Sequence, residues 1–299
     1  MNLKEQILLQ VQSNKVVNLL AAPEFNAFAF TDNIKNVIRQ VAKGVCDEAD
    51  TRALVKHCVQ AALASFYAVN QFYSFDRAAV EALEELYLKL LKDITQQRSD
   101  AINYTFLEAQ HLKRLKQWLL CYYPEAALLY HANDPAIEKP VICAEYNPAL
   151  QIEILGINEK ALMEPILDIG CGKELHLVKY LQDKGYEVYG LDREATPSAT
   201  TFQESWLEFT YKPRYWGTVI SHLGFSNHFL HQHLRQNGLF LQYASTYMKI
   251  LYSLQESGQF YYTPHLPFIE RYLDPVEFNV ETKQVEGTSF HATAVTRVF

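Results

Sequence analysis

Residues 166 to 192 read Ile-Leu-Asp-Ile-Gly-Cys-Gly-Lys-Glu-Leu-His-Leu-Val-Lys-Tyr-Leu-Gln-Asp-Lys-Gly-Tyr-Glu-Val-Tyr-Gly-Leu-Asp, and this stretch decides the fold. A short apolar run (Ile166, Leu167, Ile169) predicts a buried strand. Gly170 and Gly172 then allow a tight turn and a close backbone approach to a ligand. Leu175, Val178 and Leu181 recur at three-residue steps, which puts them on one face of a helix, and Gly185 is placed to stop it. Residues 187 to 191 predict a second strand. Asp192 falls at its carboxyl end, where open α/β sheets bind ligands.

Two chemistries use such a strand–turn–helix–strand unit. In the dinucleotide form, G-x-G-x-x-G, a third glycine allows close packing of helix on strand; counted from Gly170, that position is Leu175. This weakens a nicotinamide-dependent oxidoreductase reading. Asp168, Gly170 and Gly172 instead match an acid–x–Gly–x–Gly run, in which the stretch resembles the first motif of class I S-adenosylmethionine-dependent methyltransferases. The motif's last glycine is Glu174 here. The resemblance implies a Rossmann-like, seven-stranded α/β sheet and methyl transfer from S-adenosylmethionine. It also implies that the glycine turn (Gly170, Cys171, Gly172) meets the methionine part of the cofactor, with Asp168 orienting the turn or meeting the amino group. Asp192, with Arg193 beside it, falls where the family's ribose-binding acid belongs, and a carboxylate can accept from both ribose hydroxyls.

Further positions follow from the same resemblance. Ser205 and Trp206 fall at the adenine, where an aromatic face contributes about 1–3 kcal/mol by stacking. Glu145 and Tyr146, just before the first strand, stand where a lid folds over the cofactor. Residues 216 to 222 predict the fourth strand, with Ser221 and His222 at the end nearest the transferred methyl. The family's usual acid near its start is replaced by Gly217. His222 is the candidate catalytic group, since a neutral imidazole accepts a proton near neutral pH. His228, Tyr262, His265 and Glu270 are candidate substrate contacts. Residues 238 to 254 predict a helix, 259 to 263 a fifth strand, and 277 to 285 with 290 to 298 a hairpin that completes the sheet.

The first 125 residues predict an all-helical domain and residues 126 to 140, with the breakers Asn133, Asp134, Pro135 and Pro140, a linker; the methyltransferase-like domain then covers 141 to 299. Helical stripes run through Leu3, Ile7 and Val11, and through Ile34, Val37, Ile38 and Val41 after Asp32 as a cap. Others run through Val55, Val59, Ala62, Phe66 and Val69, and through Val80, Leu83, Tyr87, Leu90 and Ile94 after Asp76. A last helix is expected from about Ser99, with Phe106, Ala109, Leu112, Leu115 and Leu119.

Composition bounds the function. The 299 residues are 49% hydrophobic, enough for a large core, and the net charge of −7 argues against a general grip on nucleic acid. No apolar run reaches membrane-spanning length, and the first residues start with helical periodicity rather than a signal peptide, so a cytoplasmic protein is expected. Five cysteines without a C-x-x-C pair suit a reducing compartment. Nothing in the sequence supplies Cys171 with an activating base, so it is not read as a nucleophile. His231 and His233, two apart, point in different directions on a helix, so no metal site is expected, and the histidine-rich segment is read as substrate-side polar contacts or a solvated helix. The acceptor is expected to be a small molecule or a protein. The rival reading is a non-catalytic module that keeps the cofactor fold and binds a partner.

Overall fold

The computed structural model describes residues 3–14, 17–22, 28–44, 48–124, 126, 146–235, 238–286 and 291–299, with the side chains of 48–50 excepted. The chain divides into two units, Met1–Cys143 and Ala144–Phe299. The expected linker, apart from Ala126, lies outside the described residues, as does Glu145.

The first unit is helical: α1 (Leu3–Ser13), α2 (Asp32–Ala42), α3 (Glu48–Val69), α4 (Arg77–Thr95) and α5 (Tyr104–Tyr122). Asp76 caps α4, its carboxylate accepting from the Ala79 N–H. On α2 the cap is Thr31, not Asp32: the Thr31 hydroxyl accepts from Ile34 N at 3.4 Å. The last helix starts at Tyr104 instead of near Ser99, because Asn103 supplies the side chain that accepts from Phe106 N. α3 packs on α1 and α4, and α4 on α2 and α5. Most positions of the expected stripes reach the core, Val55, Val59, Ala62, Leu83, Leu115 and Leu119 being buried, whereas Leu3 is 41% exposed.

The second unit is a seven-stranded α/β sheet. After α6 (Pro148–Leu155) come β1 (Ile166–Ile169), α7 (His176–Asp183), β2 (Val188–Leu191), β3 (Thr201–Phe202), β4 (Trp216–His222), α8 (Phe225–Leu234), α9 (Phe240–Ser253), β5 (Leu254–Thr263), the short α10 (Pro267–Glu270), β6 (Phe278–Gln284) and β7 (His291–Arg297). The strands lie in the order β3-β2-β1-β4-β5-β7-β6. β3 to β5 are parallel, and β7 runs antiparallel to both β5 and β6.

Alternation along the strands splits the core into two layers. Leu167, Ile169, Val219, Phe260 and Tyr262 face α8 and α9. Ile166, Val188, Ile220 and Tyr261 face α6 and α7 with Ile152, Leu177, Val178 and Leu181. Both faces are covered, as a parallel sheet requires. Two expectations need correction. β5 begins at Leu254, earlier than 259, and follows directly on a helix that starts at Phe240 rather than 238. The histidine-rich segment after β4 is a packed helix, not a solvated one: Phe225 and Phe229 are fully buried and His228 nearly so.

Candidate functional site

Parallel pairing aligns the carboxyl ends of three strands. Ile169 of β1 lies opposite Leu191 of β2, and Asp168 opposite Ile220 of β4. The glycine turn, Asp192 and His222 therefore emerge on one edge, where the strand order reverses between β1 and β4. Gly170 and Gly172 take φ of +82° and +71°, a left-handed geometry that side chains with a Cβ rarely adopt. Leu175 also has a positive φ, +59°, where α7 begins.

The turn is fastened to the second strand. Gly172 N donates to Asp192 Oδ2 at 3.2 Å, and Glu194 N to Asp192 Oδ1 at 2.8 Å. Each carboxylate oxygen keeps a further lone pair, and the half-buried Asp192 is open to a ligand. Cys171, expected with the cofactor residues, turns its side chain the other way: a Cβ on Gly190 would meet its sulfur at 2.8 Å, so the thiol packs under β2. Only its backbone belongs to the turn.

The end of β4 closes the opposite side. Gly170 and Gly224 pack backbone on backbone, a Cβ on Gly170 lying 3.3 Å from the Gly224 Cα and 3.5 Å from Trp206 Cζ3. The half-buried Trp206 ring thus rests on the glycine turn. It meets His228 edge-on at 5.0 Å and Phe225 at 6.2 Å, and its Nε1 donates to the Tyr243 hydroxyl at 3.4 Å. The sequence reading missed Gly224 and Tyr243; a glycine just after the fourth strand was the available signal for the first. Ser205 accepts from Leu207 N at 3.3 Å and so shapes the turn that carries Trp206. Ser221 is corrected from cofactor contact to structural link: its fully buried hydroxyl donates to Ile169 O at 2.8 Å and accepts from Phe225 N at 2.9 Å, which ties β1 to the start of α8.

His222 ends β4 beneath Tyr146, ring centroids 4.8 Å apart and nearly perpendicular. Its Nε2 is buried and has no hydrogen-bond partner among the described residues. Burial pulls its pKa down to about 4, so the ring is neutral at neutral pH and a weak base. His228, near Arg193, is held well below the usual histidine range, first by burial and then by that positive charge.

Of the expected substrate residues, His228 lies at the site against Trp206, while Tyr262, Glu270 and His265 make other contacts. Tyr262 is wholly buried, with its hydroxyl 2.9 Å from that of Tyr247 and donating to Glu270 Oε1 at 2.7 Å. Glu270 also accepts from Leu266 N and the Thr293 hydroxyl. Tyr262 and Glu270 are thus corrected to a buried network that anchors the loop after β5. His265 lies beside His291, centroids 4.8 Å apart. Among the described residues no three His, Cys, Asp or Glu side chains come together as a metal site, and no described helix is long and apolar enough to cross a membrane.

Asp168 is the site's unusual titratable group. It is 3% exposed, and its pKa is raised to about 7, by burial first and the Asp192 charge second. The unfolded chain releases this proton near its ordinary value of 3.8, the folded chain only near 7. Between those values the folded state holds more protons, so Asp168 favours folding at the acid end and loses that contribution as pH rises. Asp168→Asn has no such titration. Urea unfolding of parent and variant at about pH 5 and about pH 7.5 is expected to show the stability difference moving toward the variant at the higher pH. A constant difference would contradict the raised carboxyl.

No family model and no curated protein matches the chain. Solved structures do. A protein from Pyrococcus horikoshii OT3 is 16% identical with a TM-score of 0.35, covering 50% of this chain and 91% of its own. An S-adenosylmethionine-dependent methyltransferase from Methanosarcina mazei is 14% identical with a TM-score of 0.30, covering 47% and 95%. A protein from Bordetella parapertussis described as a possible exported protein is 11% identical with a TM-score of 0.33, covering 86% and 98%. The sheet order, with five parallel strands and an antiparallel seventh inserted between the fifth and sixth, gives the second unit a class I methyltransferase-like fold.

Proposed function

We propose that the chain is an S-adenosylmethionine-dependent methyltransferase. The observation that carries this reading is the coupling of the glycine turn to Asp192 through the Gly172 N–H, with Trp206 resting on the same turn. The residues present fit the donor. Asp192 would accept from the two ribose hydroxyls, and the Gly170–Gly172 backbone leaves room for the methionine part. Trp206 offers a half-exposed face to the adenine, and Asp168 would lie nearest the amino group. When bound, the donor supplies a methyl group on a sulfonium, which makes positioning of the acceptor the main task left to the protein.

His222 serves that task better than it serves proton transfer. A neutral imidazole with a low pKa is a poor base, yet its unpartnered Nε2 can hold an acceptor's O–H or N–H in place. Tyr146, packed on its ring, would exclude water there. The acceptor is proposed to be a small molecule or a protein. Titration of the purified chain with S-adenosylhomocysteine by calorimetry is expected to give micromolar binding. A folded protein that takes up no heat would end the reading, and binding without transfer from labelled donor to any cell-extract fraction would favour a non-catalytic module.

A further inference from the structure

The sheet ends on β6, which among the described residues has a strand neighbour, β7, on one side only. Its register with β7 runs without a break from Phe278 opposite Arg297 to Gln284 opposite His291. One step further out, Val298 N donates to Glu277 O at 2.8 Å, directly across the pair. The ladder to β7 therefore uses the odd-numbered residues Asn279, Glu281 and Lys283, and the backbone N–H and C=O of Val280 and Thr282 turn outward. His291 O agrees: it accepts from His265 N, on the β5 side of β7. The other end of the sheet offers no comparable ledge, since β3 is two residues long.

An outward edge pairs with another chain unless its side chains forbid it. On β6 the side chains from Glu281 to Gln284 are exposed. Glu281 accepts from Asn279 Nδ2 at 3.0 Å, and Lys283 has no hydrogen bond or ion pair among the described residues. Charges placed so deter most partners. A second copy of the chain is the exception. About a two-fold axis at Thr282, antiparallel strands set Thr282 opposite Thr282, Glu281 opposite Lys283 of the second copy, and Lys283 opposite its Glu281. Because Thr282 turns its backbone outward, the threonines form a hydrogen-bonded pair and the charges fall at non-hydrogen-bonded pairs, where facing side chains come closest. Threonine pairs and opposite charges both favour a sheet. An axis moved one residue, to Glu281 or Lys283, would set like charges against each other.

We propose that β6 is the contact between two copies of this chain, paired antiparallel about Thr282 into one continuous sheet. The contact uses none of the residues assigned to the methyl donor, so it stands apart from the reading of the site.

Sedimentation velocity on the full chain, in a dilution series up to about 100 micromolar, is expected to show a monomer–dimer equilibrium with a micromolar dissociation constant. Thr282→Pro removes an outward N–H and spares the ladder to β7, a place where an edge strand accepts proline. It is expected to be monomeric and folded by circular dichroism. Glu281→Lys and Lys283→Glu each turn two attractive pairs into two repulsive ones, and each is expected to weaken the dimer at least about tenfold. Carried together in one chain, the two substitutions restore opposite charges, so the double variant is expected to recover the parent's dissociation constant. A parent that stays monomeric throughout the series overturns the proposal and leaves the edge to an extended segment of another protein. A dimer that survives in folded Thr282→Pro lies on another surface and overturns it too. Where that variant does not fold, the charge swap decides: a double variant no better paired than the single ones overturns the contact about Thr282.

Discussion

Asp192→Ala is expected to weaken binding of S-adenosylhomocysteine by at least about 100-fold, measured by the same calorimetry, while the chain stays folded. Hydrogen bonds to a charged group contribute about 1.5–3 kcal/mol each, and the ribose offers two hydroxyls. Losing both, at about 1.4 kcal/mol per factor of ten, accounts for two to four orders of magnitude. The fold is spared because Asp192 is half-buried and its two internal partners are backbone N–H groups, Gly172 and Glu194, at a solvent-facing edge. Asp192→Asn separates the two roles: its amide oxygen can still take the Gly172 N–H, but only one acceptor remains for the ribose, so an intermediate affinity is expected. A second readout follows from the neighbouring carboxyl. The Asp192 charge contributes to the raised pKa of Asp168, so in Asp192→Ala the titration of Asp168 should move back toward its ordinary value. Affinity unchanged in Asp192→Ala would remove the ribose contact and with it the cofactor reading.

The parts of this site that sequence made legible are those where backbone geometry restricts residue choice. Only glycine enters a φ of +82° without strain, so Gly170 announced its turn, and strand periodicity placed Asp192 and His222 at strand ends before any coordinates. β4 was legible to the residue: Trp216, Val219 and Ile220 mark a buried strand between Pro213 and the polar run beyond Gly224, and all seven of its positions are buried. What stayed hidden depends on partners distant in sequence. Nothing local distinguishes a serine that joins Ile169 O to Phe225 N from one that touches a ligand, and Ser221 was misplaced for that reason. Glu270 looked like a substrate contact because it ends the proline-restricted loop after the fifth strand; here its Oε1 takes three donors, from β5, the following loop and β7. α8 looked solvated because His228, His231, Gln232 and His233 are polar, whereas Phe225 and Phe229, four apart, draw that face onto the sheet and take His228 and Gln232 inside. The two-residue β3 is too short for any periodicity to register.

Gly217 carries the second large effect. The resemblance places an acid near the start of the fourth strand, and its replacement here reads at first as loss of a functional group. The structure supplies a steric reason for the glycine. A Cβ at 217 would lie 2.5 Å from both the carbonyl carbon and oxygen of Met163, and 2.7 Å from its Cβ. The obstacle is backbone that cannot rotate away, since the Thr218 hydroxyl donates to Met163 O at 2.9 Å and accepts from Met163 N at 3.1 Å. Gly217 N in turn donates to Pro165 O at 3.0 Å. Residues 163 to 165 are thus laced to β4 at the glycine and at the residue after it. Gly217→Asp is expected to cost about 3 kcal/mol or more, the upper range for overfilling a packed site, and a large part of the 5–15 kcal/mol that holds a typical domain together. Gly217→Ala, which adds only the clashing methyl, should lose most of the same stability in a denaturant titration. If alanine is tolerated and only aspartate is not, the cost comes from burying charge and not from the approach of Met163. If both are tolerated, the segment before β1 yields, and an acid at this position was lost for reasons unrelated to packing. The expected pair of losses would mean that the chain has exchanged the acid for a closer fit between β4 and the segment leading into β1, leaving His222 as the polar group of β4 with a free atom, at the carboxyl edge of the sheet.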